Sequence, residues 1–353
     1  MLSNPRALPI RSRRARGLAA LGAIATSAVI LTGCSAGPAK TPTTIVLYNA
    51  QHEQTTTALV KAFTKQTGIV VRVDNDDEDV LIAKIEQEGS RSPADVIFTE
   101  NSNWLQQLAD KHLLAAVNPS ALRGIPAADS ASDGDWVGVS ARMSALVYNT
   151  KDLTAAQLPT SVLELADPKW KGKIEIAPSE TDFWPVVSSV EDRYGHAKAL
   201  AWLKGLKANA GANIVPDNET LVADVNKGVA QLGIINHYYF ARLKAETSAS
   251  SLRAGLGYFA PKNAGYIETI SGAAVLKSSG HPSAAQKFLS FLTSHIGQAT
   301  IAHGESFEYP LKAGVAPNAA VTPLSQLSPS GFTAAEFGTG EEAKKLLQQA
   351  QLL

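Results

Sequence analysis

Three places in this 353-residue chain put metal-ligating or acid–base side chains directly after a short run of branched and apolar residues. Gln51, His52 and Glu53 follow Ile45–Ala50, Glu100 and Asn101 follow Ala94–Thr99, and His237, Tyr238 and Tyr239 follow Gln231–Asn236. Phenolate and carboxylate oxygens are hard, anionic donors that suit a hard cation better than a soft one. A phenol with a pKa of about 10 ligates only after losing its proton, and a highly charged metal makes that loss easy near neutral pH. Two adjacent tyrosines near a carboxylate therefore favour Fe(III) over Zn(II) or Mg(II).

The runs that precede these residues read as strands in alternation with helices. Ile45–Ala50, Ile69–Val73 and Ala94–Thr99 are expected strands, separated by expected helices over Gln54–Gln66 and Asp79–Glu88 that end at Gly68 and Gly89. A βαβαβ order implies a parallel sheet with right-handed crossovers. The pattern returns with a strand over Lys173–Ala177, helices over Thr181–Tyr194 and Leu221–Asn226, and a strand over Gln231–Asn236. Ligands of open α/β sheets sit beyond the carboxyl ends of the strands, which is where the imidazole, the carboxylate and the two phenols fall.

Composition narrows the function classes. The 32 basic and 32 acidic residues balance, but Arg6, Arg11, Arg13, Arg14 and Arg16 all precede an apolar stretch over Leu18–Leu31. A basic segment followed by a short apolar one reads as a secretory signal. Without those five arginines the rest has 27 basic residues against 32 acidic, which argues against a nucleic-acid partner. Cys34 is the single cysteine, so an intramolecular disulfide or a cysteine-built metal centre is excluded. Ser12-Arg13-Arg14 leaves both the general secretory and the twin-arginine routes open. H-E-x-x-H and P-loop patterns are absent from the sequence, and the one G-x-S-x-G match, Gly33–Gly37, lies at the end of the apolar signal stretch and not at a strand-to-helix elbow, which disfavours an exported hydrolase.

Two resemblances extend this reading. Leu31-Thr32-Gly33-Cys34 resembles the lipobox of bacterial lipoproteins, which implies lipidation of Cys34, a signal peptide over 1–33 and a tether over 34–44. The mature chain resembles the periplasmic ferric-ion-binding proteins of class II periplasmic-binding-protein fold. The resemblance is carried by Leu47–Gln54, Ala94–Asn101, Trp136–Arg142, Asp167–Gly172 and Asn236-His237-Tyr238-Tyr239, with His281–Leu292 similar to a late helix of solute-binding proteins. It implies a two-lobed α/β fold, with one lobe formed by 45–143 plus 269–318 and the other by 144–268 plus 319–353. Crossings are expected near Arg142–Val147, Ile267–Gly272 and Val315–Leu324.

The same resemblance implies His52, Glu100, Tyr238 and Tyr239 as iron ligands. A synergistic phosphate or carbonate would contact Asn101, the Glu180-Thr181-Asp182 turn, Asn218 and Asn236. Here the chain departs from the family pattern, because Glu180 and Asp182 replace small residues and would repel an anion. Asp182 is expected to fold back onto Ser179 as a capping partner, with direct ligation of the metal as the alternative. Asn218 is expected to cap its helix, and the tyrosine pair to occupy an irregular crevice lip, since successive side chains of a regular element diverge. His237 is expected to support the site and Glu53 to be solvated. The chain would then be a lipid-anchored monomer, not an enzyme, that closes on Fe(III) and hands it to an ABC permease and its ATPase. Another small solute of the same fold, such as a polyamine, phosphonate or oxyanion, is the rival cargo.

Overall fold

The computed structural model describes residues 42–353. The expected signal peptide, Cys34 and most of the tether lie outside the described residues. Ten strands form one sheet system: β1 (Thr44–Ala50), β2 (Val70–Asn75), β3 (Val96–Thr99), β4 (Leu114–Ala115), β5 (Val137–Asn149), β6 (Ile174–Glu175), β7 (Leu232–Asn236), β8 (Ala254–Gly257), β9 (Glu268–Leu276) and β10 (Tyr309–Pro310). The order along the main path is β2-β1-β3-β9-β5-β7-β6.

β1 pairs in parallel with both β2 and β3, as the βαβαβ order requires. The crossovers are the helices Glu53–Thr67 and Glu78–Glu88. In the first, Leu59 and Phe63 are fully buried, each worth roughly 1.5–3 kcal/mol of apolar burial, and Phe63 packs on Phe288 with ring centroids 5.0 Å apart. Gly68 ends this helix at φ +72°, with its N–H on Thr64 O. Only a residue free of a Cβ adopts that angle without cost.

β5 is the element that joins two α/β sections. Its first part, Val137–Met143, runs antiparallel to β9, and its second part, Ser144–Asn149, runs antiparallel to β7 and β8. Near the start of β5 the packing is tight at Gly272 of β9, opposite Gly138, where an added Cβ would lie 2.7 Å from Leu105 Cδ1 and 3.0 Å from Val137 O. Beyond the crossing, a second apolar cluster gathers Leu221, Val222, Val225, Ile235 and the two tyrosines.

Several local expectations change. The strand expected over Lys173–Ala177 is ladder-paired only at Ile174–Glu175, with one further bridge between Ile176 and Ile214. The helix expected from Thr181 opens with a 3-10 turn at Thr181–Phe183, and regular helix follows over Trp184–Tyr194. Asn218 is not a cap. Asp217 caps that helix, its Oδ1 accepting the Thr220 N–H at 2.6 Å, and Asn218 is the first helical residue.

Candidate functional site

The polar residues that follow the strands converge on the seam between the two sections. β7 ends at Asn236, which is the N-cap of the helix His237–Glu246. Tyr238 and Tyr239 therefore sit in the first turn of a regular helix, not on an irregular lip. Both are nonetheless buried, because this turn packs between β5 and the helix Asn218–Lys227. Their rings lie 4.2 Å apart between centroids, and the Arg242 guanidinium, one turn on, covers the Tyr238 ring at 4.7 Å.

The phenols share one acceptor. Tyr238 Oη donates to Asp182 Oδ2 at 2.8 Å, and Tyr239 Oη donates to the same oxygen at 3.2 Å. The expected capping role of Asp182 is thereby overturned. Ser179 Oγ donates instead to Pro216 O, and the buried phenols draw the carboxylate inward. Burial pushes both phenols well above their usual pKa, and Asp182 pushes in the same direction. Both therefore stay protonated near neutral pH.

Across the seam, His52 meets the edge of Tyr238 at 5.2 Å between ring centroids. Its Nδ1 lies 2.9 Å from Glu100 Oε1 and also contacts Gln51 Oε1, so Nε2 is the ring nitrogen facing away from that pair. Burial alone would lift the Glu100 pKa, but His52 and Arg142 outweigh it and hold it at about 2. Burial alone would lower His52, and Glu100 outweighs that, raising it above its usual value. Arg142 is fully buried on β5. It bonds the Glu100 carbonyl, lies 3.1 Å from Glu100 Oε2, and stands 3.6 Å from Asp182 Oδ1 and 3.5 Å from Glu308 Oε1.

The expected anion contacts are mostly engaged by carboxylates of the chain itself. Asn101 gives its backbone N–H to Glu78 Oε1 at 2.8 Å, and its Nδ2 to Glu78 Oε2 and Thr181 Oγ1, each at 3.2 Å. The Asn218 N–H lies 3.4 Å from Glu180 Oε1. Asn236 Nδ2 is buried without a partner among the described residues. Burial, reinforced by neighbouring acidic groups, lifts both Glu78 and Glu180 to about 8.

His237 has both ring nitrogens on backbone groups. Its Nδ1 accepts the Met143 N–H at 3.2 Å, its Nε2 lies 2.9 Å from Phe307 O, and burial holds it down to about 3. Both nitrogens are thus occupied by backbone. Glu53 is exposed at the first residue of its helix, as expected.

A cleft of about 840 Å³ reaches His52, Glu100, Glu180 and Thr181, and seven carboxyls and one lysine line it. A second cavity of about 580 Å³ reaches His52, Tyr239 and Arg242 from the other side. Among the described residues, no three His, Cys, Asp or Glu side chains form a metal cluster by themselves.

The model of the family described as bacterial extracellular solute-binding protein matches residues 58–328. The chain belongs to this family. Among its relatives, the Fe(3+)-binding periplasmic protein of Serratia marcescens is 36% identical over 340 residues, covering 96% of this chain and 99% of the relative. The major ferric iron-binding protein of Neisseria meningitidis serogroup B is 36% identical over 311 residues, covering 87% and 92% respectively. The crystal structure of iron-bound HitA from Pseudomonas aeruginosa superposes with a TM-score of 0.83 at 38% identity, covering 88% of this chain and 99% of that one. The fold is thus the two-lobed α/β architecture of this solute-binding family, and its close relatives are transport proteins rather than enzymes.

Within this solute-binding protein the structure adds three residues that sequence reasoning did not place at the site. Arg142, Glu78 and Glu308 have side chains linked directly to the seam. The available signal for Arg142 was its position as the one charged residue of the run Val137–Asn149, since a lone charge in a buried strand requires partners. Glu308, fully buried next to β10, carried no comparable signal.

Proposed function

We propose that this chain is the extracytoplasmic receptor of an ABC importer, that it captures Fe(III) between its lobes, and that it delivers the ion to the permease and its ATPase. The observation that carries the reading is the buried phenol pair, with both hydroxyls on one carboxylate oxygen at 2.8 and 3.2 Å, in a chain whose relatives are named for ferric iron. Tyr238, Tyr239, Glu100 and His52 are the proposed ligands. The first three are anionic oxygen donors once the phenols are deprotonated, and His52 Nε2 is turned away from the Glu100 pair. Residues 45–143 plus 269–318 form the proposed first lobe, and 144–268 plus 319–353 the second, with β5 and β9 as the connecting strands. The acidic side chains of the larger cleft, apart from Glu78 and Glu180 that burial lifts to about 8, supply a field that draws a cation inward.

Fe(III) titrated into the metal-free protein should raise a visible phenolate-to-iron absorption band that saturates at one ion per chain. No band under any buffer condition would sink the iron reading. A second reading, a small polycation, is favoured by the seven cleft carboxyls together with Trp104 and Trp184, whose rings lie 6.4 Å apart. Saturable heat on titrating a polyamine, with no iron band, would establish it instead.

The lipobox supports anchoring through Cys34 on the outer face of the cytoplasmic membrane, as a monomer. In cell fractionation, Cys34→Ala should leave the protein unprocessed or free it from membranes, with the freed form eluting as a monomer. A variant that still fractionates as a mature lipidated species would refute the anchor.

A further inference from the structure

The site contains one anionic oxygen more than the four-ligand set uses. Asp182 Oδ2 accepts from both phenols, and the residue is 7% exposed. Three oxygens thus meet within 2.8–3.2 Å of one another along two of their three edges. An octahedral cation with bonds of about 2.0 Å sets its adjacent ligands about 2.8 Å apart. The spacing that two hydroxyl protons now maintain is therefore the spacing that a small hard cation would impose.

We propose that Asp182 is itself a ligand of the bound Fe(III), filling the coordination position that a separate phosphate or carbonate would take, so that capture requires no synergistic anion. This rests on the iron reading of the same site. On binding, the two phenol O–H bonds break, their protons leave to solvent, and the phenolates and Asp182 turn the same oxygens onto the metal. With Glu100 the ligand set then carries four negative charges against the three positive charges of the ion.

Two further observations argue against a separate anion. The contacts it would use are engaged, Asn101 by Glu78 and Thr181, and the Asn218 N–H by Glu180. Asn236 Nδ2 is buried without a partner among the described residues. The buried charges next to Arg142 also disfavour one. Glu100, Asp182 and Glu308 surround the single guanidinium of Arg142, so an added anion would enlarge a negative excess in a low-dielectric site.

The test is a titration of ferric chloride, delivered from dilute acid, into metal-free protein in carbonate- and phosphate-free Hepes buffer. Band intensity and affinity by chelator competition are the readouts. The wild type should develop its full band without additions, and phosphate or bicarbonate should shift neither band position nor affinity. Asp182→Ala should lose more than about a hundredfold in affinity, exceeding the usual cost of an outer-shell change. Added phosphate or bicarbonate should restore much of that loss, which also shows that the variant is folded. Asp182→Asn, which keeps the volume and loses the charge, should shift the band. A wild type that binds iron only with added anion overturns the proposal while leaving the iron reading intact, as does an Asp182→Ala variant that binds fully without one. Absence of a band in every buffer rejects the iron reading instead.

Discussion

At the scale of single residues, the two phenols differ in setting but share one acceptor, so the loss of either can be read separately. Tyr238 is fully buried and makes the shorter bond to Asp182, at 2.8 Å, whereas Tyr239 also lines a cavity. In the Fe(III) titration, Tyr238→Phe and Tyr239→Phe should each weaken the band and lower affinity by well over tenfold, about 1.4 kcal/mol. The double variant should show no band, and one that binds as tightly as the wild type would remove the phenols from the ligand set. Residue types at this site were legible in the chain because phenols, imidazole and carboxylate cluster after strand ends, where open α/β sheets bind. Orientation was not legible. Asp182 stands three residues after Ser179, the spacing of a capping box, and only the tertiary position of two buried phenols directs it inward. Arg142 likewise becomes a site residue through partners distant in sequence, with Glu308 on one side and Glu100 on the other.

At the scale of elements, alternation and helix stops located the first five elements closely, because β1, β2 and β3 and their crossover helices follow strong local patterns. The second section was less legible. β6 is only Ile174–Glu175, since it is an edge strand paired with β7 alone. This strand carries a strained group. Glu175 is 2% exposed, its Oε2 has no partner among the described residues, and burial aided by Asp224 raises its pKa to about 7. A carboxyl raised in the folded state binds its proton more tightly there than in the unfolded chain, so its stabilising contribution is present below the usual value of 4.5 and lost as pH rises through about 7. Glu175→Gln should therefore raise the melting temperature at pH 8.5 by a few degrees, at roughly 2–4 °C per kcal/mol for a domain of 150–250 residues. Its effect at pH 5 should be much smaller. Thermal melts of the two proteins across that range decide it, and a pH-independent difference would show that the carboxyl is solvated.

At the scale of the whole molecule, the question is what holds the two sections together before iron arrives. Thr181, at the 3-10 turn of the second section, accepts from Asn101 Nδ2 at 3.2 Å and donates to Glu78 Oε2 at 3.3 Å in the first. Arg142 adds a charged bridge, reaching Glu100 and, at 3.6 Å, Asp182. These contacts lie on opposite sides of the seam that hinge motion of periplasmic binding proteins opens and closes. Thr181→Val keeps the side-chain shape and removes both of its bonds. At about 0.5–1.5 kcal/mol each, their loss shifts a closed–open equilibrium by about fivefold or more toward open. Small-angle scattering should then give a larger radius of gyration for the iron-free variant than for the iron-free wild type, and the same radius for both when loaded. Because the variant spends less time closed, its iron affinity should fall by the same factor that its closed population falls. Identical iron-free scattering from the two proteins would show that Thr181 does not latch the lobes. Equal affinity despite a measurably more open variant would show that closure is not coupled to capture.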